Sequence, residues 1–359
     1  MHASDPQTPF LGVRARLASP ERTVADLEAA LYDERSLWRL HTIRRTIFVA
    51  TRADATVLHA AATRDVAVRE RRQAHRWLAA VLPEGTDVPA WEAEVRAEVL
   101  ALLRDEGPTR TTDLHARIPA MATPIVSGSG RWTQEAPVGS RLLFLWAMDG
   151  EVVRTRPTGT WRNAQYRWAA TDRWFDPPLE LSGDTDEARV ALVRRYLATH
   201  GPATETDVAW WTGWTKTATR RAVAAADAVP VALDGGGTAH VLADDVATDE
   251  PAARHVSFLP GLDPTPMGWK ERDWYLGDHT AHLYDRNGNV GPTVWADGRI
   301  VGGWAVRDDG EVVHRLLEDV PARARRRIDA EAEAITAWLA GLGIRPRFRT
   351  PLERELCAT

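Results

Sequence analysis

The sequence predicts an α+β protein in which helical modules, each closed by a hairpin, precede a β-rich C-terminal part with its own closing helix. Three observations predict it. A Gly-Pro signature occurs twice with the same order of elements after it. Within each copy the apolar pattern changes from helical spacing to alternation. From residue 256 onward, short strands punctuated by Gly, Pro and Asn replace the helical pattern.

Residues 1–86 read as a partial module. Residues 25–32 have helical spacing and residues 37–50 alternate as a hairpin would. No first helix is apparent ahead of them, and a three-helix module without one would expose its core face. The natural chain is therefore expected to begin upstream of Met1.

The next two modules, 87–178 and 179–248, carry the repeat. Gly107-Pro108-Thr109-Arg110-Thr111-Thr112-Asp113-Leu114 matches Gly201-Pro202-Ala203-Thr204-Glu205-Thr206-Asp207-Val208. An amphipathic helix precedes each: 91–104 with Val95, Val99, Leu102 and Leu103, then 187–199 with Val190, Val193 and Leu197. Gly-Pro ends the helix, and a Thr three or four residues before the Asp is positioned to cap a second one. A third helix follows at 138–148 and at 215–226. Hairpins come next, 152–156 with 161–168 and 229–233 with 240–242. Three helices and a hairpin are the order of a winged helix, a module that places its third helix in the DNA major groove.

Residues 249–359 form the last part. Strands are expected at 256–259, 280–283, 293–296, 299–304 and 312–317, with Asp297-Gly298 and Asp309-Gly310 as hairpin turns. A helix over 322–342 closes it, with Ile328, Ala332, Ile335 and Leu339 on one side. The expected form is a small β-barrel-like domain or curled sheet.

Composition narrows the function. No apolar run is long enough to span a bilayer, and Met1 to Phe10 lack the basic and apolar regions of a signal peptide. Cys357 is the sole cysteine, so disulfide frameworks and cysteine zinc sites are excluded. A cytoplasmic protein without membrane partner, metal or other cofactor is expected. The net charge of −5 does not favour nucleic acid, but the field depends on where charges lie. All basic residues except Lys216 and Lys270 are arginines, suited to phosphate and guanine, although GC-rich coding accounts for much of that bias. The 11 histidines have no metal-ligand spacing.

Several strings resemble the AlkZ/YcaQ-type DNA glycosylases. They are Leu262-Asp263-Pro264-Thr265-Pro266-Met267-Gly268-Trp269-Lys270-Glu271-Arg272, Tyr284-Asp285-Arg286-Asn287-Gly288-Asn289, Pro292-Thr293-Val294-Trp295 and Gly302-Gly303-Trp304. Near the start, Ile43-Arg44-Arg45-Thr46-Ile47 is similar to the family's Arg-Gly-Thr wing strand, with Arg45 in place of glycine. The resemblance covers nearly the whole chain. It implies tandem winged helices and a small β-domain around a DNA channel. It also implies excision of N-alkylated bases by hydrolysis of the N-glycosidic bond, in some members with unhooking of interstrand crosslinks.

Family members carry Gln-x-Gln or Gln-x-Asp on an N-terminal helix. Here His2-Ala3-Ser4-Asp5 aligns with that motif, so His2 and Ser4 hold the two positions and Asp5 follows. Asp5 or His2 is the candidate to orient water, and Ser4 to donate or accept a hydrogen bond. The second position lacks the family's amide or acid. Candidate DNA-contacting residues are Arg44 on the wing strand, Lys216, Arg220 and Arg221 on a third helix, Trp269, Lys270 and Arg272, and Asp263, Asp285 and Arg286 in the family strings. Each has a structural alternative: a solvated face for the basic residues, an Asx turn for Asp263, an ion pair for Asp285 with Arg286, and packing for Trp269. Trp210, Trp211 and Trp214 are expected in the core.

The reading is thus a monomeric glycosylase for bulky alkylated purines or crosslinks in double-stranded DNA. Its alternative is a non-catalytic winged-helix DNA-binding protein or regulator on the same scaffold.

Overall fold

A computed structural model describes residues 1–128, 133–247 and 255–358. They divide into two compact units, Glu28–Arg189 and Met1–Leu27 with Val190–Thr359.

The chain opens with α1 (Thr8–Arg14) and α2 (Thr23–Glu28), which runs on into a π-helical turn, Ala29–Asp33. Pro9 sits in the first turn of α1, where its missing N–H costs nothing. A helix thus stands ahead of α2, where sequence patterning placed none. Seven residues are too few for periodicity to register.

In the unit Glu28–Arg189, β1 (Leu37–His41) and β2 (Ile47–Thr51) pair antiparallel, Leu37 opposite Thr51 and His41 opposite Ile47. Arg44 and Arg45 were expected on a strand. They occupy the connecting turn with φ of 51° and 67°, and the five-residue link cannot continue the ladder through them. Then come α3 (Arg52–Leu58), α4 (Arg64–Ala79) and α5 (Val88–Glu106). The short β3 (Thr109–Arg110), α6 (Thr111–Arg117), the hairpin β4 (Pro124–Ser127) and β5 (Gln134–Pro137), and α7 (Gly139–Met148) follow. The unit ends with β6 (Val152–Pro157), β7 (Tyr166–Ala170) and α8 (Thr171–Trp174), in a sheet ordered β3-β7-β6. Its core joins Val99 and Leu103 of α5, Leu114 of α6 and Leu142 and Trp146 of α7. The expected strand at 161–168 begins only at Tyr166. Asn163 folds the preceding residues into a loop by donating its side-chain amide to the Thr158 carbonyl at 2.8 Å.

The second repeat runs α9 (Thr185–His200), α10 (Glu205–Thr212), α11 (Lys216–Ala224), then the hairpin β8 (Ala228–Ala232) and β9 (Thr238–Leu242). Here the Thr cap forms as expected. The Thr204 hydroxyl accepts from the Asp207 amide at 3.1 Å, and the Asp207 carboxylate accepts from the Thr204 amide at 3.0 Å. In the first repeat the cap position falls on Arg110, without a side-chain cap bond, and Thr109 lies one residue earlier in β3.

The C-terminal part holds β10 (Val256–Leu259), α12 (Asp273–Leu276), α13 (Thr280–Leu283), β11 (Thr293–Ala296), β12 (Arg299–Val306), β13 (Val312–Leu316), α14 (Ala322–Leu339) and α15 (Pro351–Ala358). Residues 280–283 form a helical turn where a strand was expected. The Leu283 amide bonds locally, to His279, and four residues are too few to separate the two periods. The sheet is an open antiparallel meander, β10-β11-β12-β13, so the expected barrel does not close. Ile300 to Val306 are buried on both faces of the pleat, against α12 and α15 and the neighbouring strands. No helix among the described residues is long and apolar enough to cross a membrane.

Candidate active site

The N-terminal segment lies ahead of α1. The Ser4 amide donates to His2 Nδ1 at 3.4 Å, which makes that nitrogen an acceptor and puts the ring proton on Nε2. Ser4 is exposed, whereas His2 and Asp5 are partly buried. Asp5 Oδ1 accepts from the Arg347 amide at 3.3 Å. Asp5 Oδ2 has no protein hydrogen bond among the described residues. Burial pushes the Asp5 carboxyl above its usual range, and the Arg347 amide and charge only partly offset it.

An ion pair 247 positions apart braces this segment. Arg16, just past α1, forks onto Asp263, with Nη1 to Oδ2 at 2.8 Å and Nη2 to Oδ1 at 2.7 Å. Arg16 also bonds the Gly12 carbonyl at 2.8 Å and Thr265 Oγ1 at 3.0 Å. Asp263 Oδ1 accepts the Thr265 amide at 2.9 Å, the expected Asx turn. Thr8 Oγ1 adds a bond to the Gly261 carbonyl at 3.0 Å. The approach is close enough that a side chain at position 12 would have to displace a neighbour. A Cβ there would lie 2.8 Å from Met1 Sδ and 3.3 Å from Asp263 Oδ2. Asp263 was a candidate DNA contact. It is 0 % exposed with both oxygens engaged, so on this geometry it positions α1.

The family strings pack in the same way. Asp207 Oδ1 accepts the amides of Lys270 and Glu271 at 2.8 and 2.9 Å, tying the second repeat to the 262–272 string. The guanidinium of Arg272 lies over Trp210 at 4.8 Å and Tyr284 at 5.0 Å, and donates to Tyr284 Oη at 3.0 Å. Trp269 stands edge-on to His200 and Trp274, with Nε1 bonded to the Pro202 carbonyl at 3.3 Å. A Cβ on Gly268 would lie 2.1 Å from His200 Cδ2, so glycine lets the string pass that ring. Asp285 organises the turn before β11 by accepting from Asn287 and Asn289 amides at 2.8 and 2.9 Å. Burial works against its charge, but these donors outweigh it and hold the carboxyl low. Lys270 extends into solvent, while Arg272 is half-buried.

One exposed basic face is on α11. Thr219, Ala222 and Val223 face inward, leaving Lys216, Arg220 and Arg221 outward. Arg220 Nε reaches Glu205 Oε2 at 3.1 Å, a pair exposed on both sides. The equivalent helix α7 has no such face, since most of its side chains are core. Arg44 and Arg45 are exposed at the apex of the β1–β2 hairpin. Arg45 holds the positive φ that suits the glycine of the resembled motif.

Sequence reading named His2, Ser4, Asp5 and Asp263 as candidates, but not that Arg347 and Arg16 hold Asp5 and Asp263. Nor did it find the further carboxyl Glu353. Its Oε2 accepts from the Thr350 amide at 2.9 Å, and burial pushes its pKa up to about 7, with the Asp5 charge adding to the rise.

These features define an α+β protein with a braced, carboxyl-bearing N-terminal segment and an exposed basic helix. The family profile described as DNA glycosylase AlkZ-like matches residues 1–338, and the chain belongs to that family. Its fold is similar to that of the Streptomyces sahachiroi DNA glycosylase AlkZ. The TM-score is 0.67 at 21 % identity, covering 96 % of this chain and 90 % of that one. A search of curated sequences returns no match.

Proposed function

We propose that this protein hydrolyses the N-glycosidic bond of bulky alkylated purines in double-stranded DNA, with interstrand crosslinks as a further substrate. The observation that supports it most is Asp5. It is a carboxyl whose pKa is raised by burial, anchored through one oxygen to the Arg347 amide and leaving the other for water. Alkylation at guanine N7 makes the base a cationic leaving group. The enzyme then has to activate a water at C1′ and stabilise a sugar of oxocarbenium character. In this reading the Asp5 carboxylate stabilises the cationic sugar as the base leaves, and then takes the proton of the water that adds at C1′. His2 offers its Nε2 proton as a donor, and exposed Ser4 contributes a hydroxyl.

Residues 87–178 and 179–248 act as winged helices, and 1–86 as a third, partial module. The backbone contacts come from Lys216, Arg220 and Arg221 on α11 and from Arg44 at the hairpin apex, where exposed cations can meet phosphate. Lys270 and Arg286 add contacts from the C-terminal part, where Trp269, Arg272, Asp263 and Asp285 hold the chain in place. The chain acts as a monomer, since tandem modules supply in one chain the surface that simpler regulators obtain by dimerising.

The test is base release from duplex DNA containing N7-methylguanine, read as abasic-site cleavage above spontaneous depurination. Release by the wild type that falls at least ~100-fold in Asp5→Asn, and less in His2→Ala, is the expected outcome. Undiminished release in Asp5→Asn removes its role. No release with DNA binding intact favours the non-catalytic reading, to which the missing amide or acid at Ser4 already points.

A further inference from the structure

Residues 344–350 follow the stretch matched by the family profile, 1–338, and belong to the same unit as Asp5. The segment is clamped at both ends. Ile344 is buried, and Arg345 forks onto Asp308 at 3.0 and 2.8 Å. At the other end Thr350 is buried, and the Arg349 carbonyl accepts from Arg354 Nε at 3.1 Å and Nη2 at 2.9 Å. In the middle the Arg347 amide ties the segment to Asp5 Oδ1 at 3.3 Å. Between these fixed points Phe348 is turned outward. It is 57 % exposed, and the Arg347 guanidinium lies over its ring at 5.4 Å. Arg347 is exposed and Arg349 partly so. Their charges reach Asp5 and Glu353 and favour those carboxylates. Neither guanidinium forms an ion pair among the described residues.

A lone exposed ring is ordinary on a protein surface. This one differs by its place. It stands on pinned backbone, between two cations, one residue from the anchor of Asp5. Rings set among arginines are how proteins hold unstacked nucleotides, with bases on the rings and phosphates on the guanidiniums. The scale fits as well. Successive Cα atoms are about 3.8 Å apart, and nucleotides advance about 3.4 Å per step along one strand. A ring one residue beyond the anchor therefore lies about one nucleotide from the carboxyl.

We propose that Phe348 stacks on the base beside the reacting nucleotide where the duplex is opened, with Arg347 and Arg349 on the phosphates of that strand. Its place beside the reaction rests on the reading of Asp5. The stacking does not, so the two are read by different measurements. Inserting a ring into an intact duplex costs unstacking, whereas a missing base leaves the space already open. Binding of the full chain is measured by fluorescence anisotropy with an intact duplex and with the same duplex carrying a tetrahydrofuran abasic analogue. The wild type should bind the abasic duplex about tenfold more tightly, the scale of one base stacked on one ring. Phe348→Ala should remove that preference and Phe348→Trp should keep it. Arg347→Gln should weaken both duplexes alike and lower the slope of log K against log salt by about one. Phe348 and Arg347 are exposed, so an unchanged Tm shows that these variants remain folded. Asp5→Asn is read separately, by base release. Undiminished release there, with the preference lost in Phe348→Ala, keeps the stacking contact and removes the reading of Asp5. A wild type that binds both duplexes alike, a Phe348→Ala variant that keeps the preference, or an unchanged salt slope in Arg347→Gln would overturn the proposal.

Discussion

Removing the Arg16 guanidinium should cost more than neutralising the Asp263 carboxylate it holds, and the reason is their unequal exposure. Asp263 is 0 % exposed and Arg16 is 38 % exposed. Arg16→Met leaves an enclosed carboxylate with one remaining donor, the Thr265 amide at 2.9 Å. Breaking a fully buried pair costs about 3–5 kcal/mol, and the solvent already screening Arg16 brings this to about 2–3 kcal/mol. Asp263→Asn keeps the acceptor for Thr265 and buries no charge, while Arg16 can turn into water. Its cost should be about 1 kcal/mol. The unit Met1–Leu27 with Val190–Thr359 is of a size at which 1 kcal/mol moves Tm by roughly 2–4 °C. Arg16→Met should therefore lower that unit's Tm by about 4–12 °C.

The double variant is the stricter test. With the carboxylate gone, nothing is left uncompensated when Arg16 is removed. Arg16→Met/Asp263→Asn should thus be more stable than Arg16→Met alone, with a coupling of about 1–2 kcal/mol. Scanning calorimetry resolves the two units' transitions if they separate, and hydrogen exchange at α1 reports on the brace directly. The reasoning fails if Asp263→Asn is the costlier single change, or if the two costs simply add.

Other outcomes follow from the same structure. Gly12→Ala should be mild, about 1 kcal/mol, because the closest atom is the movable Met1 thioether, whereas Gly12→Val should release α1 in exchange measurements. Glu92→Ala should destabilise the unit Glu28–Arg189 by about 3 kcal/mol or more in urea titrations, since Glu92 is 3 % exposed and accepts from Trp146 Nε1 at 3.0 Å and His75 Nε2 at 2.6 Å. Burial opposes the Glu92 charge, but those bonds and Arg71 hold its pKa below the unfolded value, so its stabilisation is complete above pH 4.5 and fades as pH falls through the lower folded value. Glu353 runs the other way: with a folded pKa of about 7 it penalises the folded state above pH 7, and stability should rise as pH falls from about 7 to 4.5, a slope that Glu353→Gln removes. Thr204→Ala should cost about 1 kcal/mol through loss of the α10 cap, measured as Tm.

Which parts could be read from the chain depends on whether their cause is local. The repeats are local: Val190, Val193 and Leu197 fall on one helical face, and Thr204 with Asp207 is a capping pair three residues apart. Short elements were missed because few residues leave periodicity undecided. Residues 280–283 look like a strand until the Leu283 amide is seen to bond His279, and Arg44 reads as strand until its φ of 51° places it in a turn. The brace is invisible for a different reason. Arg16 has no partner within α1 that a spacing rule would name, and Asp263 has a sufficient local explanation in the Thr265 turn. Only folding brings the two together. Long-range placement of charge, as in the Arg16–Asp263 pair, is therefore what a reading of local spacing misses. Substitution at Arg16 should have consequences that its local sequence context does not suggest.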